Sequence, residues 1–373
     1  MNSAQRHVAL AIEGASIGGG QRHVLSLAAG LLKSGWKVTG IVSGQGVFTE
    51  RLIAMGVATV RVDMPKSPSL RVRSAWGRIL DQIKPDILHL HGGIAGFLGR
   101  WADVRPQRNI VYTLHGIHFI HYARPWLKWG SWAMERWVQS SRDAVVCVCQ
   151  SDAEKAVRWR MARPDQIHVI SNGINLEAPL PAALTRRELE IPESVFLVGL
   201  AGRLTRVKGY GYALEALSRL RRRGRDVHLA FAGDGEDRVR LEAQARRLGI
   251  QEMVHHRGFL QDPLPFLQAI DVHLMPSLWE GQPLALMEAM RAGRPTIASN
   301  VDGIPEVARN GVEALLVPVG DPEAIADAVE RLLLDSDLRQ RLGGNARQRA
   351  LLYDERNTAR HVERLYEERL RGR

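Results

Sequence analysis

The chain has 373 residues, of which 45% are hydrophobic and 24% are charged, and its formal net charge is +11 at pH 7. This length fits two domains better than one core, and the composition excludes a disordered chain. No apolar run reaches the roughly 18 residues of a membrane-spanning helix, and the polar start Met1–His7 does not resemble a signal peptide. We therefore expect a two-domain cytoplasmic protein.

Positive charge is concentrated in the first half of the chain. Residues 1–178 hold 22 Lys and Arg residues against 12 Asp and Glu residues. A basic half is typical of a protein that meets an anionic substrate or surface. No helix-turn-helix, zinc-finger or RNA-recognition motif is present, so nucleic acid is not the expected partner. The two cysteines, Cys147 and Cys149, alternate along one predicted strand, which indicates reduced thiols and not a metal site.

A β-α-β unit is predicted at the start of the chain. Its elements are, in order, strand His7–Ile12, a loop ending in Gly18-Gly19-Gly20, helix Gln21–Lys33 and strand Trp36–Val42. Glycines at the carboxyl end of a strand let a ligand approach the backbone closely. Gly18 and Gly19 are therefore candidate ligand contacts, although a plain glycine turn is an equal alternative and the spacing is not that of a dinucleotide fingerprint.

Two further predicted strands end in a His-Gly pair. Asp86–Leu90 runs into His91, and Asn109–Leu114 runs into His115. Ligands of open parallel sheets bind beyond the carboxyl ends of the strands, which makes both histidines candidate site residues. For His89 we expect a structural role, as a helix cap or as the partner of a backbone carbonyl.

Tryptophans are clustered in the segment 121–138, which holds four of the nine in the chain. Trp126, Trp129 and Trp132 recur at intervals of three and so fall within one arc of a helix. Basic residues are interleaved with them, a combination typical of helices at a membrane interface. Packing against the sheet is the alternative, and the sequence leaves both interpretations open.

The proline-rich stretch 177–192 separates two series of alternating strands and helices. We expect an N-terminal domain at 1–178 and a C-terminal domain at 179–355, with a last helix at 356–370 that packs back on the N-terminal domain. The double alternation predicts an α/β fold of two doubly wound, Rossmann-like domains that face a cleft.

Basic residues follow the first predicted strand of the second domain. Val195–Ala201 runs into Gly202 and Arg203, and Lys208 precedes the next helix. Two cations at a strand end, beside a helix N-terminus, suit a diphosphate group. The alternative is a solvated basic loop, since arginine is frequent throughout this chain.

The stretch Pro276–Arg294 places two carboxylates on a predicted strand–loop–helix. Glu280 lies on the loop, Glu288 lies one turn into the helix, and Pro283 is expected in the first helical turn. Leu284 and Glu288 share a face of that helix. The free N–H groups of a first turn attract oxygen-rich ligands, and a neighbouring carboxylate accepts hydrogen bonds from sugar hydroxyls. An amphipathic helix with one solvated glutamate is the alternative.

Taken in order, these motifs resemble family 4 of the retaining glycosyltransferases, which have the GT-B fold. Glu280 and Glu288 resemble its E-x7-E signature, and Gly202 to Gly209 resembles its G-R-x4-K-G motif. The G-G-G loop and the segment ending in His115 resemble those of this family. The segment H-G-x-H-F that begins at His115, followed by the tryptophan-rich helix, resembles a segment of transferases in polysaccharide assembly. The resemblance implies transfer of a glycosyl unit from a UDP- or GDP-sugar to a hydroxyl acceptor, with retention and with no metal or other cofactor held by the protein.

The resemblance also implies roles for single residues. His115, Glu280, Arg203 and Lys208 are expected at the reaction centre, and Glu288 is expected to hold the ribose of the donor. The donor-binding set that it implies is Gly18, Gly19, Gly202, Arg203, Lys208, Phe259, Glu280, Gly281, Gln282, Pro283, Leu284 and Glu288.

The acceptor is expected to dock on the basic first domain. A lipid-linked saccharide is the preferred acceptor, with His91, Trp126 and Trp129 as candidate contacts and the inner face of the cell membrane as the location. Many members of the family have Gly-Phe-Gly after the first glutamate, where this chain has Gly281-Gln282-Pro283. Proline has no N–H to hold a donor sugar, so the sugar is left unassigned.

Two other classes of function stay open on the sequence alone. One is a nucleotide-sugar 2-epimerase on the same double fold, and the other is a noncatalytic protein that binds anions or membranes.

Overall fold

The computed structural model describes residues 5–65, 69–102, 109–117, 119–121, 124–139 and 144–371. Within it the chain divides into two compact units. Unit 1 comprises Met1–Asn175 together with Glu355–Arg373, and unit 2 comprises Leu176–Asp354. Each unit is built around its own sheet and its own buried apolar core.

The described part of unit 1 contains a seven-stranded sheet whose strand pairs are all parallel. Its strands are β1 (His7–Ile12), β2 (Lys37–Val42), β3 (Ala58–Arg61), β4 (Ile87–His91), β5 (Asn109–Leu114), β6 (Ala144–Cys147) and β7 (Ile167–Val169). Their order across the sheet is β3-β2-β1-β4-β5-β6-β7. The direction of strand addition therefore reverses between β1 and β4, and a parallel sheet offers ligands a crevice at such a point.

Helices cover both faces of this sheet, and its central strands β1, β4 and β5 are buried along their whole length. The helices of unit 1 are α1 (Gly19–Lys33), α2 (Val47–Ala54), α3 (Leu70–Ile83), α4 (Gly93–Ala102), α5 (Pro125–Gln139), α6 (Gln150–Arg158) and α14 (Glu355–Arg371). Helix α1 begins at Gly19 and not at Gln21, since Gln21 Oε1 accepts a hydrogen bond from the Gly18 N–H at 3.1 Å. The two glycines after Gly18 thus form the first turn of a helix.

Helix α14 lies far along the sequence but completes the core of unit 1. It packs on α1 so closely that a Cβ added at Gly30 would lie 2.3 Å from Ala359 Cβ. Val362, Leu365 and Tyr366 are buried in the same core cluster as the apolar face of α1.

Unit 2 contains a six-stranded sheet whose strand pairs are also parallel. Its strands are β8 (Phe196–Ala201), β9 (Val227–Ala232), β10 (Val254–Gly258), β11 (Val272–Met275), β12 (Thr296–Ser299) and β13 (Ala314–Val317). The order is β10-β9-β8-β11-β12-β13, so the reversal falls between β8 and β11. The two parallel, doubly wound sheets confirm the predicted α/β fold class.

The helices of unit 2 are α7 (Tyr210–Arg222), α8 (Arg238–Arg247), α9 (Leu264–Ala269), α10 (Leu284–Arg291), α11 (Ile304–Val307), α12 (Pro322–Leu334) and α13 (Ser336–Ala350). In the described part of either unit, no helix combines the length and the low polarity that crossing a bilayer requires.

Candidate active site

The reversal point of unit 2 brings a lysine and a glutamate together. Lys208 precedes α7 in the loop after β8, and Glu280 lies in the loop after β11. Lys208 Nζ lies 2.5 Å from Glu280 Oε1, to which Ser277 Oγ also donates at 2.7 Å. The Glu280 N–H donates to Asp302 Oδ2 at 3.0 Å. The glutamate side chain is 9% exposed and the lysine side chain 33% exposed, so the pair is held firmly and still reaches solvent.

A close approach of two backbones holds these loops together. Gly209 has a φ of +69°, and a Cβ at this position would lie 1.8 Å from the Pro276 carbonyl oxygen. Beside it, the Leu278 N–H donates to the Val207 carbonyl at 2.7 Å. Only glycine combines a left-handed φ with so short a distance, and the Lys208 loop is therefore fixed against the Glu280 loop.

The amino end of α10 lies after the same loop. Pro283 is the N-cap residue, with extended dihedrals, and the helix begins at Leu284. Pro283 was expected within the first turn of the helix, whereas it lies directly before the helix. Its missing N–H would need no partner at either place. Glu288 is 3% exposed, so the alternative of a solvated glutamate is wrong.

Other residues of the predicted donor set are spread along the same edge of the sheet. Gly202 follows β8, and its carbonyl accepts from Tyr210 OH at 2.9 Å. Arg203 is exposed beside it. Gly281 and Gln282 are buried, whereas Phe259 is exposed after β10, two strands away from β8.

The reversal point of unit 1 gathers histidines. His91 ends β4 and His115 follows β5, while His23 comes from the second turn of α1. His91 Nδ1 lies 3.3 Å from His115 Nε2, and the His23 and His115 ring centroids are 5.0 Å apart. Sequence reasoning missed His23. The signal that could have found it is its position four residues after Gly19, on the α1 face that follows the glycine loop.

His89 is part of this region but not as a helix cap. It lies on the same face of β4 as His91, and their rings stack with centroids 4.1 Å apart. His89 Nδ1 lies 2.5 Å from Tyr366 OH and its Nε2 lies 2.7 Å from Thr113 Oγ1. The expected cap or backbone contact is therefore wrong, because side chains from α14 and β5 occupy both ring nitrogens.

Burial favours the uncharged form of the His23, His89 and His91 imidazoles. Desolvation lowers the pKa of His23 to about 4. The pKa of His91 is held well below its usual value by desolvation first and by the neighbouring His89 and His115 second. Neutral imidazoles offer one donor and one acceptor nitrogen each, so the cluster can hydrogen-bond a ligand or coordinate a metal.

The tryptophans of α5 divide between two environments. Trp126 is 67% exposed and Trp129 is 55% exposed, whereas Trp132 packs partly against the core. The Trp132 Nε1–H donates to the Trp159 carbonyl at 2.9 Å. Of the predicted segment 121–138, residues 122–123 lie outside the described residues. The core interpretation thus holds for Trp132, while the two exposed rings remain candidates for a surface contact.

Both units of the chain match known protein families. Residues 17–178 match the family described as Glycosyltransferase Family 4, and residues 182–349 match the family described as Glycosyl transferases group 1. The chain is 32% identical over 279 residues to a D-inositol 3-phosphate glycosyltransferase of Xylanimonas cellulosilytica, covering 70% of this chain and 67% of that protein.

Two further comparisons concern a relative and a fold. The chain is 29% identical over 269 residues, 70% of each protein, to an Escherichia coli enzyme named UDP-Gal:alpha-D-GlcNAc-diphosphoundecaprenol alpha-1,3-galactosyltransferase. The crystal structure of Anabaena HepE in complex with UDP-glucose superposes with a TM-score of 0.85 at 20% identity, covering 97% of this chain and 99% of that one. The noncatalytic alternative is set aside, and the chain belongs to family 4 of the GT-B glycosyltransferases, a family of enzymes.

Proposed function

We propose that the protein moves a sugar from a UDP- or GDP-sugar to a hydroxyl acceptor, with retention at the anomeric carbon. The observation that carries this proposal is the Lys208–Glu280 pair at the strand reversal of unit 2, directly before the amino end of α10. Cations and free helical N–H groups at such a point suit a diphosphate. In this proposal the domain at 1–178 binds the acceptor and the domain at 179–355 binds the nucleotide-sugar donor.

Each side chain near this pair has a role in the proposal. Lys208 and Arg203 neutralise the charge that grows on the leaving diphosphate. Glu280 orients the donor sugar, because Lys208 and Ser277 hold its carboxylate in place. Glu288 accepts hydrogen bonds from the ribose hydroxyls, with its burial removing competing water.

The remaining donor contacts come from two groups of residues. Backbone groups of Gly281 and Gln282 face the sugar, and Phe259 lies toward the nucleobase. From the first domain, His115 contacts the donor near the diphosphate, with the glycine loop at Gly18 beside it. The HepE structure with UDP-glucose supports a uridine donor, and no metal held by the protein is needed for the transfer step.

The acceptor in this proposal is a lipid-linked saccharide. The name of the Escherichia coli relative, which specifies a diphosphoundecaprenol acceptor, supports this class. The exposed rings of Trp126 and Trp129 and the neighbouring charge of Lys128 suit the headgroup region of an anionic membrane. His91 lies on the acceptor side of the same domain, and the protein works at the inner face of the membrane.

The ribose contact is tested with Glu288→Ala and calorimetry with UDP and GDP. Loss of hydrogen bonds to a charged group costs about 1.5–3 kcal/mol, so nucleotide affinity should fall about 10- to 100-fold. Glu252→Ala is the matched control, because it removes an exposed carboxylate at the opposite, amino end of β10. Equal affinity of both variants for the nucleotide would contradict the placement of the ribose.

The reaction itself is tested with a panel of nucleotide sugars. A thermal shift assay selects the donor that stabilises the protein most. Transfer to a diphosphoprenyl saccharide is then followed, and the anomeric configuration of the product is read by NMR. Sugar release that does not require an acceptor would favour the epimerase alternative, and an inverted product would contradict retention.

The membrane contact is tested by sedimentation with anionic vesicles. The Trp126→Ala/Trp129→Ala variant should bind at least about 100-fold more weakly than wild type, because each ring that is removed forgoes about 1.5–3 kcal/mol of burial in the headgroup region. Leu334→Ala/Leu351→Ala, which removes two exposed apolar side chains of unit 2, should bind like wild type. Equal sedimentation of both variants would contradict a membrane role for α5.

A further inference from the structure

The histidines of unit 1 have the geometry of a metal-binding cluster. His23, His91 and His115 each offer one ring nitrogen, and these nitrogens all lie within 4.8 Å of one another. His91 Nδ1 and His115 Nε2 are 3.3 Å apart. Two nitrogens bound tetrahedrally to the same zinc ion, each at about 2.0–2.1 Å, are themselves separated by about 3.3 Å. This pair of atoms therefore already has the spacing of two metal ligands.

The third ligand is oriented by a residue outside the cluster. His23 Nδ1 lies 2.9 Å from Asn172 Oδ1. When the amide oxygen accepts from Nδ1–H, the lone pair is on Nε2, which is buried and has no hydrogen-bond partner among the described residues. Metal-binding histidines are commonly fixed in this way by an oxygen acceptor on the other ring nitrogen.

The chemistry of the cluster selects one class of metal. The group contains three imidazoles, and His89 is outside it because Tyr366 and Thr113 occupy both its ring nitrogens. Imidazole nitrogens suit zinc and its neighbours in the first transition row, whereas magnesium and calcium prefer oxygen ligands.

We infer that His23, His91 and His115 form a three-histidine site for a divalent transition metal such as Zn²⁺, with a fourth position open to water or substrate. The inference departs from the expectation that the protein holds no metal. Its functional consequence rests on the proposed function, which assigns His115 to the donor. A metal bound to His115 occupies that ring nitrogen, so zinc should inhibit transfer reversibly and in competition with the donor.

The metal site is tested on the full chain with Co²⁺, whose visible absorption reports tetrahedral coordination. Wild type should take up a single Co²⁺ with strong d–d bands that Zn²⁺ abolishes by displacement. His115→Ala, which alters a half-buried residue, should lose the bands, and its far-UV circular dichroism should show that it is folded. Asn172→Ala should retain them with about 10- to 100-fold weaker affinity.

The matched control addresses a second pair of histidines. His228 and His255 in unit 2 are stacked, with Nδ1 and Nε2 2.8 Å apart, and they could collect cobalt by themselves. His255→Ala should keep the absorption bands of wild type. Bands that vanish in His255→Ala and persist in His115→Ala, or no bands and no zinc-dependent thermal shift in wild type, would overturn the inference.

The inhibition experiment separates this inference from the proposed function. Zinc should raise the apparent KM for the donor, and EDTA should restore it. Cobalt bands without zinc inhibition would leave the metal site standing and contradict the donor contact of His115. Zinc inhibition of wild-type strength in Asn172→Ala, whose cobalt affinity is weakened, would instead assign the inhibition to another site and contradict the functional consequence of the inference.

Discussion

Gly209→Ala is predicted to break the contact that holds the two loops of the unit 2 site together. The position has a φ of +69°, and the new Cβ would lie 1.8 Å from the Pro276 carbonyl oxygen. An L-residue in the left-handed region costs about 1–2 kcal/mol. The loops must also separate by about an ångström, and such overpacking costs about 1–3 kcal/mol more. The free energy of unfolding of unit 2 should therefore fall by about 2–5 kcal/mol.

Gly224→Ala is the matched control for the backbone term. Gly224 lies in the same unit with a φ of +71°, and a Cβ added there would meet no atom within 4 Å. The free energy of unfolding of this variant should fall only by the cost of the left-handed conformation, about 1–2 kcal/mol. The difference between the two variants isolates the clash with the Pro276 carbonyl.

Urea unfolding followed by circular dichroism, fitted with one transition for each unit, measures both variants, and calorimetry measures their UDP affinity. Gly209→Ala should bind UDP more weakly, because the displaced loop carries Lys208 away from Glu280. Gly224→Ala should bind UDP like wild type. If both variants lost the same stability and the same affinity, the close approach at Gly209 would not be what positions the loop.

Three further predictions concern other parts of the two units. Burial raises the pKa of Glu135 from 4.5, so wild type loses stability as the pH rises through that shifted pKa. In urea unfolding, Glu135→Gln should therefore be more stable relative to wild type at pH 8 than at pH 5. The same difference in unfolding free energy at both pH values would contradict this. Tyr366→Phe leaves His89 Nδ1 buried without its partner and should lower the unfolding free energy of unit 1 by about 1–3 kcal/mol. An unchanged urea midpoint would refute this. Lys208→Met removes the ion pair of a nearly buried Glu280, and calorimetry should show UDP affinity reduced about 10-fold or more. The stability cost should be only about 1–2 kcal/mol, because the lysine side chain is a third exposed. Unchanged UDP affinity would argue against a diphosphate contact.

The strands and the principal loops of the fold could be predicted from the sequence because they follow local patterns. Apolar runs such as His7–Ile12 and Asn109–Leu114 match β1 and β5 as the structure has them. Strand β3 (Ala58–Arg61) was not predicted, since it has four residues, lies at the edge of its sheet and is only partly buried. Edge strands carry a weak apolar signal, so sequence periodicity does not reveal them.

The candidate sites divide in the same way between local and distant information. Lys208 and Glu280 belong to motifs that follow strands, and adjacent parallel strands bring such residues to one edge. The His23–Asn172 and His89–Tyr366 contacts join residues 149 and 277 positions apart. A single sequence does not indicate which distant residues contact each other, because such contacts depend on which helix covers which face of the sheet. His89, for which a structural role was expected, therefore has side-chain partners that the sequence did not indicate.

The position of α14 has a consequence for how the chain is assembled on the ribosome. Unit 1 needs Ala359, Val362 and Tyr366 to close its core, yet all of unit 2, Leu176–Asp354, is synthesised before them. The first half must therefore wait with an uncovered apolar groove along α1 while the inserted half is translated and becomes free to fold. Of the two halves, the one translated first is the last to be finished.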